Sequence, residues 1–158
     1  MARLEGKIAI ITGGTSGIGE RSVEIFVEEG AQVVFCGRRE ELGRALADRV
    51  GPRAEFIRAD VAVEDDVANL INTTVQRHGR LDVLFNNAGG PAPTGSIADV
   101  DTELYDRAMK VLVGGVMLGM KHAAPVMIEQ GSGSIINNGS IAGHQAGYSS
   151  SMIYSAAK

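Results

Sequence analysis

The sequence predicts an α/β fold, a doubly wound parallel sheet in a single domain over residues 1–158. Three observations predict it. Apolar runs of strand length alternate with amphipathic segments of helix length from start to finish, the pattern of repeated βα units. The first apolar run shows no polar alternation, as befits a strand covered on both faces. Glycine supplies 21 of 158 residues, well above the usual share of ~7 per cent, and clusters between the apolar runs, where backbones must come close.

Lys7–Thr12 (KIAIIT) reads as the first strand. A helix should follow over about Gly17–Glu29, with Ile18, Val23, Ile25 and Phe26 on its inner side and Gly30 closing it. Gln32–Cys36 is the second strand and Glu40–Val50 the second helix, stopped by Gly51-Pro52. Ala54–Arg58 is the third strand, and Glu64–Arg77 the third helix, ending at His78-Gly79. Leu81–Asn86 is the fourth strand. A Gly/Pro-rich loop, Ala88–Ser96, leads to a long helix from near Asp101 toward Gln130. On that helix Met109, Met117, Met120 and Met127 fall on one face at ~100° per residue. Gly114, Gly115 and Gly119 should let another backbone approach. Ser134–Asn138 is the fifth strand, Gly139–Ser151 a loop, and a further helix begins near Tyr154. Two complete halves of such a sheet need six strands; five are present, so the chain is expected to continue past Lys158.

Composition narrows the function. Net charge is −4 with no basic stripe to displace counterions from phosphates, which argues against a nucleic-acid partner. The single cysteine, Cys36, lies in an apolar run and reads as a buried, inert thiol of a reducing compartment. The N-terminal MARLEGK leads straight into a strand without the apolar core of a signal peptide. No stretch reaches the ~18 uncharged apolar residues of a membrane span. A cytoplasmic protein with no membrane partner is expected. His78, His122 and His144 stand apart without metal-ligand spacing, so no metal is expected.

Thr12–Gly19 (TGGTSGIG) joins the first strand to the first helix. Gly13 permits a tight exit from the strand. Gly17 and Gly19 lack a Cβ where a pyrophosphate and the packed sheet come closest, and the helix N-terminus offers free N–H groups to phosphates. No Gly-Lys-Ser/Thr follows, which excludes a mononucleotide P-loop. The G-x-x-x-G-x-G spacing, NNAG (Asn86–Gly89) after the fourth strand, Ser140 after the fifth, and YSAAK (Tyr154–Lys158) together resemble the short-chain dehydrogenase/reductase family in its compact, single-domain form. The resemblance covers the whole chain and implies a Rossmann-type sheet, an NAD(P) cofactor and a small-molecule alcohol or carbonyl substrate. The methionine face of the long helix suggests self-association, so a homo-oligomer is expected in the full-length fold.

The resemblance places Ser16 and Ile18 of the glycine turn, and Asn87, Ala88 and Gly89 of the second motif, at the cofactor. Asn87 bracing the loop is an alternative reading. Asp60, with Val61, matches the position that hydrogen-bonds adenine. An acidic residue ending the second strand would select NAD, but that position is Gly37, and Arg38 and Arg39 follow. A guanidinium there suits a 2′-phosphate, which favours NADP(H) through Arg38, with NAD(H) possible.

Tyr154 and Lys158, four apart on a helix, share one face. A free phenol, of pKa ~10, is a poor acid–base catalyst near neutrality; a neighbouring ammonium favours the phenolate. By resemblance, Tyr154 and Lys158 also touch the cofactor, and Ser140 holds the substrate oxygen. Where the family often has two adjacent serines, this chain has Gly139-Ser140. The family's fourth catalytic residue, an asparagine in the long helix, aligns with Leu112, which cannot hydrogen-bond a relay water; Asn138 is a conceivable substitute, with no sequence signal behind it. The loop Gly89–Gly95 and residues Ile141–Ile153 are small and apolar, which suits a bulky or hydrophobic carbonyl compound. The expected activity is interconversion of an alcohol and a ketone or aldehyde by a Ser140–Tyr154–Lys158 set. The alternatives are a truncated dinucleotide-binding module without turnover and a nucleotide-sensing regulator.

Overall fold

In the computed structural model, which describes residues 2–158, five parallel strands form one sheet. They are β1 (Ile8–Thr12), β2 (Gln32–Gly37), β3 (Ala54–Arg58), β4 (Val83–Asn86) and β5 (Ser134–Asn137), in spatial order β3-β2-β1-β4-β5. Lys7, Leu81, Asp82 and Asn138, expected within strands, lie just outside them. Register is continuous across the centre, with Ile10 beside Val34 on one side and Leu84 on the other. All three are fully or almost fully buried, because a parallel sheet covered on both faces needs apolar side chains in both directions.

Helices α1 (Gly17–Glu28), α2 (Glu40–Val50) and α3 (Glu64–His78) follow the first three strands. The long helix is three pieces in one run: α4 (Thr102–Met109), a π-helical turn (Lys110–Gly114) and α5 (Gly115–Gln130). Asp101 caps it, its carboxylate accepting the Leu104 N–H at 3.0 Å. This run is long and apolar enough to cross a membrane by length and composition alone, yet Leu118, Ala123 and Met127 are buried in the core shared with the sheet and α3. A last short helix, α6 (Met152–Ala157), starts two residues before the expected Tyr154.

Two expectations about helix faces need correction. Ile18 is 65% exposed and Ile25 also faces out, whereas Val23 is buried and Phe26 packs beside it. Ile18 sits in the first turn of α1, at the mouth of the sheet and not over it. The four methionines do not make one face: Met127 is buried, Met109 half-buried, and Met117 and Met120 exposed. Of the three helix glycines, Gly115 lies against Val61 and Gly119 against the Asn86 amide, so side chains more than backbones make the close approach; at Gly114 a Cβ would meet only Met109 of its own helix, at 3.7 Å.

Candidate functional site

Chain order jumps from β3 at one edge to β4 on the far side of β1, and such a switch point opens a crevice at the carboxyl ends of the strands. The glycine turn leaves β1 there and Asn86–Gly89 leaves β4 there. The two interlock. The Asn87 and Ala88 N–H groups both donate to Thr12 Oγ1 at 3.0 Å, and Asn87 Nδ2 donates to the Thr12 carbonyl at 3.0 Å. A Cβ on Gly13, which has φ +68, would stand 2.7 Å from Ala88 Cα, and one on Gly19 would stand 2.6 Å from Asn87 Nδ2. Glycine at both positions is a packing requirement, and Asn87 does brace the loop.

α1 begins without a side-chain cap. Ser16 occupies the capping position, but its hydroxyl accepts Arg39 Nη2 at 2.6 Å, and the same nitrogen reaches Thr15 Oγ1 at 3.1 Å. The first-turn N–H groups therefore have no side-chain partner, the arrangement that suits an anion.

A cleft of about 570 Å³ unites these parts. Gly13, Ser16, Ile18, Gly19, Arg38, Val61, Asn87, Ala88 and Gly89 line it, together with Ser140, Tyr154 and Lys158. Unclaimed helix N–H groups, two guanidinium groups and an ammonium fit a polyanionic dinucleotide. Asp60 is placed differently. It borders the adjoining cleft beside Arg107 and Lys110, where its carboxylate accepts the Ala62 N–H at 3.0 Å and stands 3.9 Å from Arg38. Gly17 shapes the turn through its φ of +57 without a close neighbour.

Gly37 is more than a missing carboxylate. A Cβ there would lie 2.8 Å from Thr15 Cγ2, so Thr15 fills the space an acidic side chain would use. Cys36, beneath it, is buried, and burial pushes its thiol up to about 12.

At the other end, Ser140 Oγ accepts the Ala142 N–H at 3.2 Å, which leaves its proton free to donate. Tyr154 and Lys158 are both half-buried, and Lys158 Nζ lies 5.9 Å from the centre of the Tyr154 ring. Leu112, buried on the π-helical turn, forms part of the same wall and offers it no polar atom. Among the described residues, no three His, Cys, Asp or Glu side chains cluster to hold a metal. His144 is exposed, and His78 stands 3.3 Å from Glu55.

Three residues of this site were not singled out as cofactor or catalytic positions from the sequence. Thr15 and Arg39 sit beside expected residues, and the adjacent Arg38-Arg39 pair was their one signal. Asn138, whose main-chain carbonyl accepts Lys158 Nζ at 2.6 Å, gave none.

Comparison with known proteins identifies the family. The family described as short chain dehydrogenase matches residues 7–158. Tropinone reductase-like 1 of Erythroxylum coca is 47% identical over 150 residues, covering 93% of this chain and 55% of that protein. Short-chain dehydrogenase reductase 4 of Arabidopsis thaliana is 49% identical over 146 residues, 91% of this chain and 49% of that one. The sex determination protein tasselseed-2 of Zea mays is 45% identical over 145 residues, 89% and 43% respectively. The chain spans about half the length of these relatives. A match over nearly its whole length, on a sheet whose switch point carries the glycine turn, shows that the chain belongs to the short chain dehydrogenase family.

Proposed function

We propose that the protein is an NAD(P)-dependent oxidoreductase that interconverts an alcohol with a ketone or aldehyde. The observation that supports this is the convergence of Ser140, Tyr154 and Lys158 on the cleft that the glycine turn also lines. A bound nicotinamide dinucleotide supplies the hydride. The chain's own residues do the rest. The first turn of α1 receives the pyrophosphate. Ser140 donates its hydroxyl proton in a hydrogen bond to the carbonyl oxygen. In the reducing direction Tyr154 Oη gives its proton to that oxygen as hydride arrives at the carbon; in oxidation the phenolate takes the proton back. Lys158 favours the phenolate by its charge and holds the nicotinamide ribose. NADP(H) is the favoured nucleotide, supported by Arg38, Arg39 and the space at Gly37 that Thr15 fills. A bulky or hydrophobic carbonyl compound is the proposed substrate class.

Tyr154→Phe tests this in the full-length protein. It removes the phenolic oxygen and keeps the ring, so dinucleotide affinity should stay within a few-fold while turnover falls by ~10²–10⁴, the scale of general acid–base catalysis. Turnover at the parental rate would end the proposal.

Leu112 favours a second reading, a module that binds dinucleotide without turnover, because a buried isobutyl group in the cleft wall cannot hold a relay water. Stoichiometric NADPH binding with no turnover of any carbonyl substrate is its signature.

A further inference from the structure

The ammonium of Lys158 is held by a residue outside the expected catalytic set. It donates to the main-chain carbonyl of Asn138 at 2.6 Å. Asn138 stands one residue beyond β5, and its N–H donates to the Asn86 carbonyl at 2.9 Å. Its side-chain Nδ2 donates to Asn87 Oδ1 at 3.0 Å. Asn87 Nδ2 in turn donates to the carbonyls of Thr12 at 3.0 Å and Gly13 at 3.4 Å. An unbroken line of amides thus joins the glycine turn to Lys158.

The peptide that carries the Asn138 carbonyl leads into Gly139, where even an added Cβ would meet nothing within 4 Å. No side chain at Gly139 packs to hold this peptide, whereas the Asn138 side chain and N–H tie its residue to Asn87 and Asn86. Leu112, on the same wall, supplies no competing acceptor. We propose that Asn138 is a positioning residue for Lys158. Its amide aims the carbonyl that holds the ammonium and couples that ammonium to the turn that receives the dinucleotide phosphates. The proposal rests on the oxidoreductase reading, in which Lys158 holds the nicotinamide ribose.

A double-mutant cycle on NADPH affinity, read by fluorescence titration, tests it without requiring turnover. Asn138→Ala should weaken NADPH binding by about fivefold to tenfold, the scale of one hydrogen bond. Asn138→Thr, which keeps a donor on a shorter arm, should recover most of that loss. In a Lys158→Met background, Asn138→Ala should cost nothing further, because its effect passes through the ammonium. A purely structural asparagine would instead give additive losses. Additive losses, or parental affinity in Asn138→Ala, overturn the proposal while leaving the oxidoreductase reading intact. A parent that binds neither NADPH nor NADH overturns both, and one that binds NADH alone carries the same cycle on NADH. If Asn138→Ala lacks a cooperative thermal transition, Asn138→Leu, of nearly the same shape, neutral and without the donor, makes the same test. If neither folds, Asn138 belongs to the stability of the fold and the proposal fails.

Discussion

The Ser151 hydroxyl donates to the main-chain carbonyl of Pro93, a contact that crosses from the start of α6 to the Gly/Pro-rich loop 58 residues earlier. The same oxygen accepts the Tyr154 N–H at 3.0 Å, so one buried side chain caps the helix bearing Tyr154 and fastens it to the loop opposite.

Ser151→Ala removes the cap and strands a buried carbonyl. It should lower stability by about 1–3 kcal/mol, whereas Ser151→Thr, with its hydroxyl, should lose much less. Urea unfolding measures both. Equal midpoints for alanine and parent would show that the tie carries no weight.

Asp82 should contribute to the acid limb of stability. Its side chain is 6% exposed, accepts the Ile8 N–H at 3.0 Å and Arg80 Nε at 2.8 Å, and lies 3.6 Å from Lys7 Nζ. Burial is the largest single influence and raises its pKa. The Arg80 hydrogen bonds, the Ile8 N–H and the charges of Arg80 and Lys7 together outweigh burial, and the carboxyl ends below its ordinary value. A group depressed in the folded state contributes stability above its unfolded pKa, near ~3.9, and that contribution fades as pH falls through the folded value. Asp82→Asn should therefore be less stable than the parent at neutral pH, with the gap narrowing below about pH 4. A gap that stays constant with pH contradicts the assignment.

The two glycines that bound the first turn of α1 should behave differently. Gly19→Ala drives a Cβ into the Gly13 carbonyl and Asn87, and should weaken NADPH binding by more than about tenfold, with a lower melting temperature. Gly17→Ala meets no neighbour and bears only the strain of positive φ, about 1–2 kcal/mol. Melting curves and NADPH titrations of both variants check the contrast, which disappears if Gly19→Ala binds like the parent.

Nucleotide choice is measurable by titrating NADPH and NADH side by side. NADPH should bind more tightly, and Arg38→Asp should swing the preference toward NADH by about 1–3 kcal/mol, the scale of a charged hydrogen bond. Equal or reversed affinities in the parent would remove Arg38 from the 2′-phosphate.

The fold was legible where its signals are local. Each strand is a short, mostly apolar run, and the glycine turn follows the first of them, so the sheet could be read in order, whereas the switch point emerges only from the strand order of the folded sheet. Helix faces were less secure. Periodicity gives a direction around an axis but not what lies there: Met120 and Met127 point nearly the same way, yet Met127 meets the core while Met120 reaches the outer edge, 3.5 Å from Asn137 Nδ2. The π-helical turn at Lys110–Gly114 also resets the helical phase between Met109 and the others. At the site, Tyr154 and Lys158 announced their pairing by spacing. The Thr12–Asn87–Asn138 line did not, because its members are 51 and 75 residues apart and only the closed sheet brings them together.

On the proposed nucleotide reading, the interlock of Gly37 with Thr15 would make a change of coenzyme epistatic. An aspartate introduced at position 37 alone collides with a threonine methyl, so the single step that would recruit a ribose-binding carboxylate is blocked until Thr15 shrinks. Thr15 Oγ1 is also a rest for Arg39, at 3.1 Å. Trimming it opens the space for the carboxylate and loosens a guanidinium in the same stroke, so the order of substitutions, and not merely their identity, sets which evolutionary or engineered paths between the two nucleotides are passable.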